Sequence, residues 1–212
     1  GYGATETSPV VSTNSPEFNR PGSIGKVIPG VEVKIINFES GEGCKPREVG
    51  LIFVKGDSVM KGYYDDPEQT AEVLSDGWYN TGDMGFLDED GFLWHAGRFK
   101  RFAKVGGEMI SLVRVENVLE KLLPNGISCC VVEVSDEKKG SYIVAAVSEE
   151  INKTEILRKM MNELPMIALP RQFALIRDLP IMGTGKIDFR SVTRMVQEMM
   201  SNPDSLQKDM LN

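Results

Sequence analysis

The chain changes texture at "GRFKRFAK", and this break limits the possible architectures more than any single motif. Before it, from "SIGKVIPGVEVKII" to "FLWHAG", short β-rich runs are punctuated by the turn signals Pro29-Gly30, "ESGEG", Lys55-Gly56 and Asp90-Gly91. One helix is expected in that half, at "DDPEQTAEVL", capped by Asp66 with Pro67 in its first turn. Asp90-Gly91 reads as a two-residue hairpin turn between "GFLDE" and "FLWHA", since both residues tolerate positive φ. After Gly97 helices and strands alternate. Ser111 caps a helix "LVRVENVLEKLL" that puts Leu112, Val115, Leu119 and Leu122 on one face. "ISCCVVEV" and "SYIVAAV" are strands joined by the charged turn "SDEKKG". "KTEILRKMMNEL" is a helix stopped by Pro165, "FALIRDL" a further strand and "DFRSVTRMVQEMM" a last helix, followed by a polar tail expected to fray. The expected class is α+β: a β-rich region over 1–97, then a compact α+β domain over 98–212.

Composition removes several functions. With 24 Lys and Arg against 31 Asp and Glu, the net charge of -7 repels phosphate backbones, which argues against a nucleic-acid partner. No apolar run approaches the roughly 20 residues of a spanning helix. Three cysteines at no framework spacing suit a reducing compartment, and Cys129-Cys130 reads as a pair of small buried side chains in a strand. With His95 the one histidine, neither a zinc site nor a histidine-based triad is expected.

Three strings remain, in this order: "GYGATE" at the start, "YNTGD" with "GRFKRFAKVGGE" in the middle, and "LPIMGTGKIDFR" near the end. "MGTGK" is not a P-loop, because Pro180 stands where that motif needs its first glycine and Ile187 replaces its Ser/Thr. Together the strings resemble the C-terminal part of the adenylate-forming ligases, the superfamily of acyl-CoA synthetases, luciferases and peptide-synthetase adenylation domains. The resemblance covers nearly the whole chain. It implies that "GYGATE" is an internal nucleotide loop, so that the chain is expected to be a portion of a longer enzyme, inactive in adenylation by itself.

By this resemblance ATP or AMP is the nucleotide and Mg2+ the metal. Tyr2 would lie against adenine, Thr5 would contact the α-phosphate, and Glu6 would contribute to the metal site. Asp83 would accept hydrogen bonds from both ribose hydroxyls, a task that suits the two oxygens of a carboxylate, and Arg98 would add a ribose contact. Lys186 would bridge carboxylate and nucleotide during adenylation, Lys104 would serve the thioester step from the opposite face, and Lys100 would be the hinge between the two states. Blander readings stay open: a glycine turn with an exposed carboxylate at Glu6, a turn-capping Asp83 paired with Arg98, a surface Lys186, an ordinary linker Lys100.

The stretch "KRFAKVGGEMISL" departs from the wider superfamily, which commonly has a basic residue after the glycine pair and a proline before the helix; here Glu108 and Met109 and Ser111-Leu112 occupy these places. In this respect the chain is similar to the acyl-acyl carrier protein synthetases joined to 2-acylglycerophosphoethanolamine acyltransferases. That likeness implies fatty acid and ATP as substrates, the phosphopantetheine thiol of acyl carrier protein as acceptor, and a full-length protein on the cytoplasmic side of a bacterial inner membrane. Alternatives are an acyl-CoA or aryl-CoA ligase and, of another kind, a non-catalytic module binding an acidic carrier protein through Lys100, Arg101, Lys104 and Arg114.

Overall fold

In the computed structural model, which describes residues 1–136 and 140–201, the chain separates into two compact units, Gly1–Lys100 and Arg101–Asn212. The class is α+β.

The first unit is built from short strands because its sequence turns every few residues. β1 (Tyr2–Gly3), β2 (Val10–Thr13) and β3 (Lys26–Val27) form one antiparallel sheet. β4 (Val31–Ile36), β5 (Gly50–Gly56), β6 (Leu74–Ser75), β7 (Trp78–Leu87) and β8 (Leu93–Arg98) form a second, in which β7 pairs with β5, β6 and β8. Val11, Ile35, Ile52, Val54 and Leu93 make the core of the unit. The one α-helix, α1 (Pro67–Val73), starts where its cap requires: the Asp66 side chain accepts from the Gln69 N–H.

The expected two-residue hairpin at Asp90-Gly91 is not what joins β7 to β8. The connection is the longer loop 88–92, and Asp88 organises it: Oδ1 accepts from the backbone N–H of Asp90 and Phe92. A side chain that satisfies two loop amides makes the wider turn preferable to a tight one.

The second unit is a three-stranded sheet covered on both faces. β9 (Phe102–Val105) and β10 (Glu108–Ser111) form a hairpin whose turn, Gly106-Gly107, has φ of +56° and +88°, as a two-residue turn of this hand requires. α2 (Leu112–Leu122) follows, with the Ser111 hydroxyl accepting from the Arg114 N–H. β11 (Cys129–Asp136) runs antiparallel to β12 (Gly140–Val147), and after α3 (Lys153–Met160) β13 (Gln172–Leu175) joins β12 in parallel. α4 (Phe189–Ser201) closes the described chain. The charged turn expected at "SDEKKG" and the expected polar tail lie largely outside the described residues.

Strand alternation sends successive residues of β11 into different cores. Cys129 and Val131 join Leu112, Val115, Leu119, Ile156 and Met160 on the face covered by α2 and α3. Cys130, Val132 and Val134 join Val192 and Val196 of α4 on the other. Each fully buried aliphatic side chain contributes about 1.5–3 kcal/mol, so both faces hold the sheet. The adjacent cysteines are therefore packing residues, and burial pushes both thiols up to about 12.

Candidate functional site

The opening "GYGATETSPVV" is a closed hairpin. β1 and β2 pair Tyr2 with Ser12, and the intervening Thr5–Thr7 forms a single helical turn. Thr7, wholly buried, ties the loop together: its hydroxyl accepts from the Ala4 N–H and lies within hydrogen-bonding distance of the Ala4 and Pro9 carbonyls, at 2.9 and 2.8 Å. Thr5 is exposed.

The turn holds Glu6 half-buried, where the Tyr63 hydroxyl donates to its Oε1 at 3.0 Å. Burial, then the Glu6 carboxylate, raises the pKa of Tyr63, so this tyrosine is a donor at neutral pH. Tyr79 shows the same upward shift for the same two reasons. One carboxylate is the usual protein share of a Mg2+ held mainly by phosphates and water. Glu6 therefore fits that ion by donor chemistry. Tyr63 was not singled out in the sequence because its partner lies far upstream.

In "YNTGD", Gly82 sits at φ +69°, in the left-handed region that favours glycine, within an irregular stretch where β7 loses register with β5. Thr81 fills the gap: its hydroxyl donates to the Ile52 carbonyl and accepts from the Asp83 N–H. The distortion leaves the Asp83 side chain 5% exposed and facing three donors. The Tyr2 hydroxyl donates to Oδ2 at 2.6 Å, Arg98 Nε lies 2.9 Å from Oδ1, and His95 Nε2 lies 3.4 Å from the same oxygen. Arg98 also donates to the Thr81 carbonyl at 3.1 Å.

Burial works to raise the Asp83 pKa, but the hydrogen bonds from His95 and Tyr2 and the charge of Arg98 outweigh it and hold the carboxyl below its usual range. Asp83 is thus an anion at neutral pH. Burial and the same carboxylate push the Tyr2 phenol well upward, so it remains a donor. The structure brings Tyr2, Asp83 and Arg98 together within one unit, and adds His95, which the sequence reading assigned to no site.

In the second unit Lys104 is exposed on β9 and Lys186 is exposed on the turn 181–187. That turn is closed by the Met182 N–H donating to the Lys186 carbonyl and the Gly185 N–H to the Met182 carbonyl. Just beyond it, Asp188 accepts from the N–H groups of Arg190 and Ser191 and so caps α4. The two lysines are rooted in opposite cores: Ala103 and Ile110 beside Lys104 belong to the α2–α3 face, and Ile187 beside Lys186 packs on the α4 face.

Lys100 is exposed and is the last residue of the first unit. Its neighbour Arg101 is not part of an open basic patch. Arg101 is 8% exposed, lies 2.7 Å from Glu116 Oε2, donates to the Val131 carbonyl and sits over the Phe189 ring. The docking surface considered for a carrier-binding module loses this residue.

Comparison with known proteins identifies the family. Residues 1–64 match the family model of the AMP-binding enzymes, and residues 114–186 match that of the AMP-binding enzyme C-terminal domain. The chain belongs to the adenylate-forming superfamily. Among curated relatives it is 37% identical over 211 residues to a long-chain-fatty-acid–CoA ligase of Bacillus subtilis, covering 95% of this chain and 36% of that protein. Among solved structures it is similar to ATP-bound MatB of Rhodopseudomonas palustris, with a TM-score of 0.78, 27% identity and coverage of 93% and 40%. It is also similar to the o-succinylbenzoate CoA synthetase MenE of Bacillus subtilis in complex with its acyl-adenylate, with a TM-score of 0.78, 32% identity and coverage of 90% and 40%. The chain thus spans about two fifths of the length of these relatives. Among its described residues no helix is long and apolar enough to cross a membrane.

Proposed function

We propose that this chain is the part of an ATP-dependent acid–thiol ligase that runs from the nucleotide loop through the C-terminal domain. The observation that carries this reading is the meeting of Tyr2, Asp83 and Arg98: an anionic, buried carboxylate beside an aromatic ring suits a ribose and its base. In the reaction, a carboxylate oxygen of the acid attacks the α-phosphorus of ATP and pyrophosphate leaves. A thiolate then attacks the acyl carbonyl and AMP leaves. Mg2+, held at Glu6, would neutralise charge between the phosphates, and Thr5 would hold the α-phosphate. Lys186 supplies the positive charge that develops importance in the first transition state, an effect worth about 10²–10³ in rate for such preorganised groups.

The acceptor we favour is coenzyme A, because the relatives named above are CoA ligases and synthetases. The acid is a fatty or aryl carboxylic acid. A second reading rests on "KRFAKVGGEMISL": acyl carrier protein as acceptor, with the acyl group passed on to 2-acylglycerophosphoethanolamine by a companion acyltransferase on the cytoplasmic side of a bacterial inner membrane. Relative kcat/KM of the full-length enzyme for coenzyme A and for phosphopantetheinylated carrier protein decides between them.

Lys104 and Lys186 are flanked by residues of the two different cores of the second unit, and in this reading they serve the two half-reactions in turn. In the full-length enzyme Lys186→Ala is expected to lower acid-dependent ATP–pyrophosphate exchange at least a hundredfold while sparing thioester formation from supplied acyl-adenylate. Lys104→Ala is expected to do the reverse. Loss of the same half-reaction in both variants would overturn the division. Lys100, at the junction of the units, is the proposed pivot. Proline there restricts φ to near -65°, so Lys100→Pro should impair the thioester step and Lys100→Ala should leave both steps near normal.

A further inference from the structure

We propose that His95 is a positioning residue for the nucleotide: it fixes the carboxylate oxygen of Asp83 and the ring of Tyr2 that together receive ribose and base. This inference rests on the nucleotide reading of Asp83 above.

The geometry comes from a slip in the β7–β8 ladder. Asp83 pairs with Arg98 and Met84 with Gly97, but Gly85 pairs with His95, so Ala96 is an extra residue in β8. In a regular ladder, residues facing each other share a face, and Ala96 would stand opposite Gly85, on the same face as Asp83. The bulge hands that place to His95. Without it, His95 would point to the other side of the sheet from Asp83 and Arg98.

The result is specific. His95 Nε2 is 3.4 Å from Asp83 Oδ1, the oxygen that Arg98 also holds at 2.9 Å. The imidazole lies beside the Tyr2 ring, with centroids 6.1 Å apart and planes inclined by 33°. Tyr2 in turn donates to Oδ2. His95 therefore lies beside both residues that the nucleotide reading assigns to the ligand, and its side chain is 38% exposed. A carboxylate offers about four acceptor positions. Donors from Arg98, His95 and Tyr2 take three of these and orient the group, which leaves one position, on Oδ2, for a ribose hydroxyl.

The test compares AMP with 2′,3′-dideoxy-AMP on the full-length ligase. Both carry the same base and phosphate, so the ratio of their affinities isolates the ribose hydroxyls. His95→Leu is expected to lower that ratio about three- to tenfold, the size of one ordinary hydrogen bond, since His95 acts on the ligand only through Asp83, and to raise the KM for ATP by a like factor while kcat falls less than twofold. His95→Gln, whose side-chain amide can donate to the same oxygen, should restore most of the ratio. An unchanged ratio in His95→Leu overturns the proposal, and so does a His95→Gln variant as impaired as His95→Leu. Asp83→Asn separates the two layers: if it leaves the ratio intact, the ribose reading itself is wrong, whereas loss in Asp83→Asn with none in His95→Leu rejects only the role of His95.

Discussion

Asp83 on β7 and Asp88 in the loop just after it are the same residue type, each 4% exposed, yet their surroundings differ. Asp88 is enclosed by donors that serve the fold. Its Oδ2 accepts from Trp94 Nε1 and Arg20, and its Oδ1 from two backbone amides of its own loop. Burial tends to raise its pKa, but hydrogen bonds from Trp94, Phe92, Arg20 and Asp90 overcome that and bring it to about 2. Asp83 is held by two side chains that remain open to solvent, Arg98 at 66% and His95 at 38% exposed. Burial by itself does not mark a functional carboxylate. In the proposed function the difference lies in the surroundings: the donors to Asp88 are internal to the fold, whereas Arg98 and His95 beside Asp83 stand open to solvent, where a ligand can reach them.

Substitution should separate the two roles, and the largest effect is expected at Asp88. Asp88→Ala leaves the Trp94 N–H, two loop amides and the Arg20 charge without their acceptor, which should cost about 3–5 kcal/mol of stability in denaturant unfolding. The folded fraction should still bind AMP with an affinity close to that of the unmodified protein. If AMP affinity fell as much as stability, the two ends of the strand pair would not be separable.

At Asp83 the expectation inverts. Asp83→Asn should weaken AMP binding by the full-length ligase about 10–100-fold, the range for losing one or two hydrogen bonds to a charged acceptor, and should change the denaturation midpoint little. Calorimetric titration and urea unfolding of the same variant measure both.

The smallest effect is a pH dependence. Asp88 has a depressed pKa in the folded state, so its stabilising contribution is complete above the unfolded carboxylate value of about 4 and is lost as pH falls from there through about 2. Urea unfolding between pH 5 and 2.5 should therefore show a steeper loss of stability for the unmodified chain than for Asp88→Asn. Parallel slopes would remove Asp88 from the acid response.

Local signals in the chain were sufficient for much of the framework. Asp66 and Ser111 cap their helices as their positions in the sequence indicate, because a cap is decided by a side chain and amides two or three residues away. The strand and the burial of Cys129 and Cys130 were also legible in "ISCCVVEV", and strand geometry then sends these neighbours to different cores. Arg101 was less legible: in the sequence it belongs to a basic run, and only packing against Glu116, Val131 and Phe189 makes it an internal anchor.

What the sequence by itself determined is the order of elements, their caps and the three strings that carry the superfamily resemblance. Only the tertiary structure decided that the β7–β8 turn widens around Asp88 and that His95 faces Asp83. The physical reason is register. His95 and Arg98 stand an odd number of places apart, so alternation alone assigns them to opposite faces, and the extra residue at Ala96 reverses that assignment. A bulge depends on how one strand meets another, and that meeting is made by residues distant in the chain.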